Sequence, residues 1–122
     1  MPTQDIDILL KSFENPDEVV TFPKGRYEVV RIGGMTFGRA TYQPGWKWSV
    51  DVGPQVGKKL CDVEHVGLVL SGTATAAFED GRVENLSAGS FFYVAGKPHD
   101  SWVVGDEPYV SLHFQGGEKY AR

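Results

Sequence analysis

From Tyr27 onward, apolar and polar positions trade places with a period close to two, in short runs: Tyr27–Ile32, Met35–Tyr42, Trp46–Val50, Val66–Leu70, Thr73–Phe78, Arg82–Leu86, Phe91–Ala95, Ser101–Val104 and Tyr109–Phe114. That period sends alternate side chains to opposite faces of an extended chain, so each run predicts a strand with one face on a core. Gly33-Gly34, Pro44-Gly45, Asp80-Gly81 and Gly105-Asp106 separate the runs and mark turns. Asp80-Gly81 is the clearest hairpin signal, because glycine accepts the positive φ of a tight primed turn. The first twenty residues lack the alternation. Ile6, Ile8, Leu9, Leu10 and Phe13 cluster there and predict a short helix or an arm strand. Asn15-Pro16-Asp17 then offers a turn or a helix start, with Asp17 and Glu18 in its first turn. The chain therefore divides into an N-terminal arm, 1–20, and one all-β domain, 21–122. Short strands at this spacing suit a jelly-roll barrel or an immunoglobulin-like sandwich equally.

Composition narrows the classes. A chain of 122 residues with 41% hydrophobic content and 15 glycines has room for one core and many turns. No apolar run approaches the roughly twenty residues that cross a bilayer, and Asp5 and Asp7 lie where a signal peptide carries basic residues. One cysteine makes no intrachain disulfide, which fits a reducing compartment; the expected location is cytoplasmic. The net charge of -4 is dispersed and leaves no basic stripe, so neither nucleic acid nor an anionic membrane is an expected partner.

Candidate chemistry concentrates between Gly53 and His99. Lys59, Cys61 and His65 share one parity and would face the same side of a single extended strand. On such a strand Cys61 and His65 would stand about 13 Å apart, too far for a thiol–imidazole nucleophile pair. Gly53, five residues, Lys59, one residue, Cys61, three residues, His65, six residues and Gly72 together form a pattern that resembles the first motif of the cupin superfamily. That motif usually carries His, His and Glu at those three ligand places. Gly89-Ser-Phe-Phe-Tyr-Val-Ala-Gly-Lys-Pro-His99 resembles the second cupin motif, one residue shorter and with Ala95 for the usual proline. Pro44–Trp48, His65–Gly72 and His99–Pro108 extend the similarity to small single-domain bacterial cupins, over residues 17–115.

The resemblance implies an all-β double-stranded β-helix, a jelly-roll barrel with a pocket open at one end. It also implies a metal held by Cys61, His65 and His99, and a homodimer in which the arm of one subunit covers the partner's sheet. One thiolate and two imidazoles favour zinc, with iron or nickel as alternatives, and three ligands leave a coordination position open. Glu64 could replace His65 if the strand bulged by one residue. The bland alternative makes Cys61 a small buried hydrophobe and the histidines hydrogen-bonded wall residues. In Tyr109–Phe114 the odd positions Tyr109, Ser111 and His113 form the more polar face, which makes His113 a candidate fourth ligand, general base or substrate contact. Trp46 and Trp48, with Phe37 or Tyr42, are candidates for a pocket floor, and Lys59 for its rim. Asp100 is a candidate to orient a histidine or to cap the turn after Pro98. Three functions fit: a metal-dependent enzyme on a small organic molecule, a small-ligand sensor, and a metal-free structural barrel. A fold of this kind does not choose among them.

Overall fold

The computed structural model describes residues 7–115. Ten strands and two single-turn helices follow one another: β1 (Glu18–Phe22), β2 (Gly25–Ile32), β3 (Met35–Tyr42), α1 (Trp48–Asp51), α2 (Gly53–Val56), β4 (His65–Ser71), β5 (Thr73–Phe78), β6 (Val83–Ser87), β7 (Phe91–Val94), β8 (His99–Asp100), β9 (Val103–Val104) and β10 (Tyr109–Gln115). The strands make two antiparallel sheets. The larger has the order β1-β2-β3-β10-β4-β7; the smaller has the order β6-β5-β8, with β9 also paired to β5. Long sequence separations between neighbours, such as β3 beside β10, are what winds the chain into a jelly roll rather than a meander.

Alternation explains which faces meet. Tyr27 and Val29 on β2, Ala40 and Tyr42 on β3, Val69 on β4 and Ala74 on β5 are buried between the sheets. The odd face of β10 is the inward one: Tyr109, Ser111 and His113 are buried, as their polarity suggested. Within the large sheet, neighbouring strands pack closely where a side chain is missing. A Cβ on Gly38 would run into the Tyr27 ring and hydroxyl, so glycine here is what lets Tyr27 lie across β3. Gly72, at φ 75°, turns β4 into β5 in a conformation that L side chains rarely adopt. The Asp80-Gly81 hairpin is present: Gly81 has φ 97°, Asp80 Oδ1 accepts from the Arg82 amide at 3.0 Å, and Ala77 pairs with Val83.

Two elements differ from the sequence reading. Glu18 begins a strand rather than the first turn of a helix. β1 pairs with β2 from Glu18↔Val29 to Phe22↔Gly25 and so crosses position 20, where the arm was set to end. Asp17 is held by the Arg31 amide, which donates to its Oδ2 at 2.7 Å, and this fixes the strand's entry. Trp46–Val50 is not a strand. Lys47 makes an isolated bridge with Trp102, and the chain then closes one helical turn in which the Asp51 amide donates to the Lys47 carbonyl at 2.8 Å. The Asp51 carboxylate accepts from the Lys47 amide at 2.9 Å, satisfying a donor that the turn leaves over. Upstream, residues 11–14 lie on the chain's own sheet. The Arg39 guanidinium stacks over Phe13 at 5.1 Å and pairs with Glu14 and Glu28 at 3.3 and 2.7 Å, respectively. Ile6 lies outside the described residues; Ile8, Leu9 and Leu10 are exposed.

Candidate metal centre

At one end of the space between the sheets, Cys61, His65 and His99 converge. Their ligand atoms all lie within 4.8 Å of one another, and all three residues are buried. Residues 62–64 are not a strand, so the convergence comes from an irregular segment rather than from strand parity. It replaces the expected strand-length separation with a Cys61 Sγ···His65 Nε2 distance of 3.4 Å. His65 opens β4 in the large sheet, whereas His99 opens β8 in the small one. Cys61 is tied to His99 by a reciprocal pair of backbone hydrogen bonds, N–H to carbonyl in both directions at 2.9 Å.

The donor chemistry fits a metal. Ligands on a tetrahedral zinc at the usual bond lengths stand about 3.5 Å apart for sulfur and nitrogen, close to the Cys61–His65 separation. His99 Nδ1 lies 2.7 Å from the Lys97 carbonyl oxygen. A carbonyl only accepts, so Nδ1 carries the hydrogen and Nε2 presents a lone pair, as a ligating histidine requires. Burial holds the three histidines neutral. It is the main cause that lowers His65 to about 2, with His113 and His99 adding to it, and the cause that lowers His113 to about 4; it also lowers His99. Burial pushes the Cys61 thiol up to about 11, so the metal-free site holds a thiol.

The other candidates separate clearly. His113 lines the cavity beside the triad, its ring 5.5 Å from that of His65 and its Nε2 3.1 Å from Ser111 Oγ, but it is not among the three residues whose ligand atoms cluster. Trp48 lines the cavity, whereas Trp46 does not: it is fully buried behind the wall, stacked on Tyr42 at 3.7 Å and 3°. Lys59 is exposed and does not line this cavity; it lies in a bend with Leu60, just ahead of the Cys61 bridge. Glu64 is turned away to accept from the Tyr93 hydroxyl at 2.6 Å, so no bulge exchanges it for His65. Phe37 belongs to the outer face, edge-on to Phe114 at 6.2 Å. Asp100 does not orient His99. Its carboxylate accepts from the Ser49 amide at 3.0 Å, the Ser49 hydroxyl at 2.8 Å and the Ser101 amide at 2.9 Å, pinning α1 against β8. The sequence reading missed Thr75, Ala76, Leu86, Phe92, Val94 and Ser101, which complete the wall; their signal was strand alternation once the inward parity is known.

No protein-family model matches the sequence, and no curated protein matches it. Solved structures do. A protein of unknown function from Rhizobium leguminosarum superposes with a TM-score of 0.58 at 15% identity, over 90% of this chain and 97% of that one. A cupin domain from Bordetella pertussis gives 0.53 at 12%, over 79% and 96%. An oxalate decarboxylase from Lactobacillus farciminis, solved as a formate complex, gives 0.56 at 18%, over 80% of this chain but 30% of the enzyme.

Proposed function

From a small cupin-type fold whose interior ends in a thiol and two neutral imidazoles, we propose that this protein binds one divalent transition metal at Cys61, His65 and His99 and takes a small organic molecule into the cavity beside it. The observation that carries the reading is the mutual approach of three buried ligand atoms within 4.8 Å. Zinc suits this donor set best, and iron or nickel are the alternatives. When bound with a position open, such an ion supplies Lewis acidity toward a carbonyl or carboxylate oxygen, or acidifies a water. The chain's own contribution is to hold both imidazoles neutral and the thiol within reach of the same ion, and to surround the open side with a mostly apolar wall. His113, which lines the cavity beside the triad, would contact the bound molecule rather than serve as a fourth ligand.

A second reading has its own support. The Cys61–His65 contact is also a good thiol-to-imidazole hydrogen bond, so a metal-free barrel that only stores a ligand accounts for the same geometry. Elemental mass spectrometry on protein purified without chelator decides between them. The expected result is close to one metal per chain, reduced at least tenfold in His65→Ala and in His99→Ala. Protein that stays empty after reconstitution with zinc, iron and nickel would sink the metal reading.

The reading includes a homodimer. β7 closes one edge of the large sheet, and on it Phe91 and Tyr93 are 75% and 62% exposed. Bare edges of this kind are normally covered. A second copy of the chain is the covering partner.

A further inference from the structure

The cavity wall holds two buried hydrogen-bond donors that no described residue uses. Trp48 is 3% exposed, and its indole N–H has no acceptor among the described residues. Thr75 is 2% exposed; its Oγ1 accepts from the Trp102 amide at 3.1 Å, which leaves the hydroxyl hydrogen with no acceptor among the described residues. Both line the cavity that contains Cys61, His65 and His99. A buried donor without an acceptor is unfavourable, so this wall favours an occupant that brings acceptors.

Charge and size point the same way. Among the described residues, no Asp, Glu, Lys or Arg lines the cavity. A divalent ion with one thiolate and two neutral imidazoles therefore leaves one net positive charge in a low-dielectric space, uncompensated by the wall. The cavity volume is ≈ 40 Å³. At 10–15 Å³ for each water, that is room for about three waters, hence an occupant of about three or four non-hydrogen atoms.

We infer that the metal-loaded cavity is a selective site for a small monoanion, inorganic or carboxylate, whose far end accepts hydrogen bonds from Trp48 and Thr75. The inference rests on the metal reading above and adds the ligand class to it. An acceptor-only anion neutralises the site and satisfies both donors at once. A neutral molecule of the same size does only the second. An aromatic carboxylate has the charge but not the size.

Protein reconstituted with Co²⁺ tests this, because thiolate-ligated cobalt absorbs in the visible and near ultraviolet and responds to a change in its ligands. Azide and acetate should shift the spectrum saturably, whereas acetamide and benzoate should not at the same concentrations. Trp48→Phe and Thr75→Val should each weaken azide binding about tenfold, with bound cobalt still near one per chain and an unchanged circular dichroism spectrum. Bound cobalt with no response to azide or acetate overturns the inference and leaves the metal reading standing. So does equal affinity for benzoate, or azide affinity unchanged in both variants. Failure to bind cobalt, zinc, iron or nickel overturns both.

Discussion

A metal would ask different things of Cys61 and of its two histidine neighbours. Burial lowers His65 to about 2 and lowers His99 as well, so near neutrality the imidazoles are neutral and have no proton to give up. The Cys61 thiol, at about 11, must lose one. Zinc affinity should accordingly rise about tenfold for each pH unit between roughly pH 7 and 9, as measured by competition with a chromophoric chelator. A flat profile would mean that sulfur stays protonated and is not a ligand. Cys61, His65 and His99 were legible as a set from their resemblance to the cupin motifs, but not for the reason that parity suggested. Alternation put Lys59 with them, but Lys59 sits with Leu60 in a bend ahead of Cys61 and is exposed. Such a bend leaves no periodic trace in a sequence. Trp46 and Trp48 illustrate the same limit. Two aromatics at strand spacing look alike, yet one turn of helix puts only the second on the cavity.

Among the elements, β3 and β5 were readable to the residue, because turn residues bound them: Gly33-Gly34 and Pro44-Gly45 flank β3, and Gly72 and Asp80-Gly81 flank β5. β1 was not. It is an edge strand with one partner, and the Asn15-Pro16-Asp17 ahead of it carries the residues of a helix start as well as of a strand entry. The packing of β2 on β3 gives a sharp test. Gly38→Ala forces Tyr27 out of its place across β3, where its ring meets His113 edge-on at 5.5 Å. Overpacking of this kind should lower unfolding free energy by about 1–3 kcal/mol, read from urea denaturation. A neutral result would mean that Tyr27 has room to move aside. Gly33→Ala, open on all sides, is the control for the glycine change, although its φ of 61° makes it mildly strained in its own right.

For the whole molecule, buried neutral histidines tie stability to acid. His113 titrates near 4 in the folded chain, against an ordinary 6.5 when unfolded. Between those values the unfolded chain holds a proton that the folded chain refuses, so stability rises with pH. The contribution is complete above about 6.5 and is lost as pH falls toward 4, by up to about 3 kcal/mol. Chelator-treated protein should show a lower urea midpoint at pH 5 than at pH 7, and His113→Asn should narrow the gap; an equal gap in the variant would assign the loss to other groups. Assembly is tested separately. Sedimentation velocity should give a dimer for the wild type and a monomer for Phe91→Lys with Tyr93→Lys, and a wild-type monomer at all concentrations would remove the dimer. The ligand triad has one further consequence at this scale. His65 belongs to one sheet and His99, bridged to Cys61, to the other. An ion held by all three would be a removable cross-link between the two layers at one end of the sandwich. Loading and chelation would then set how often that end breathes, and the amides of Cys61 and His99 would report it as slow and fast hydrogen exchange, respectively.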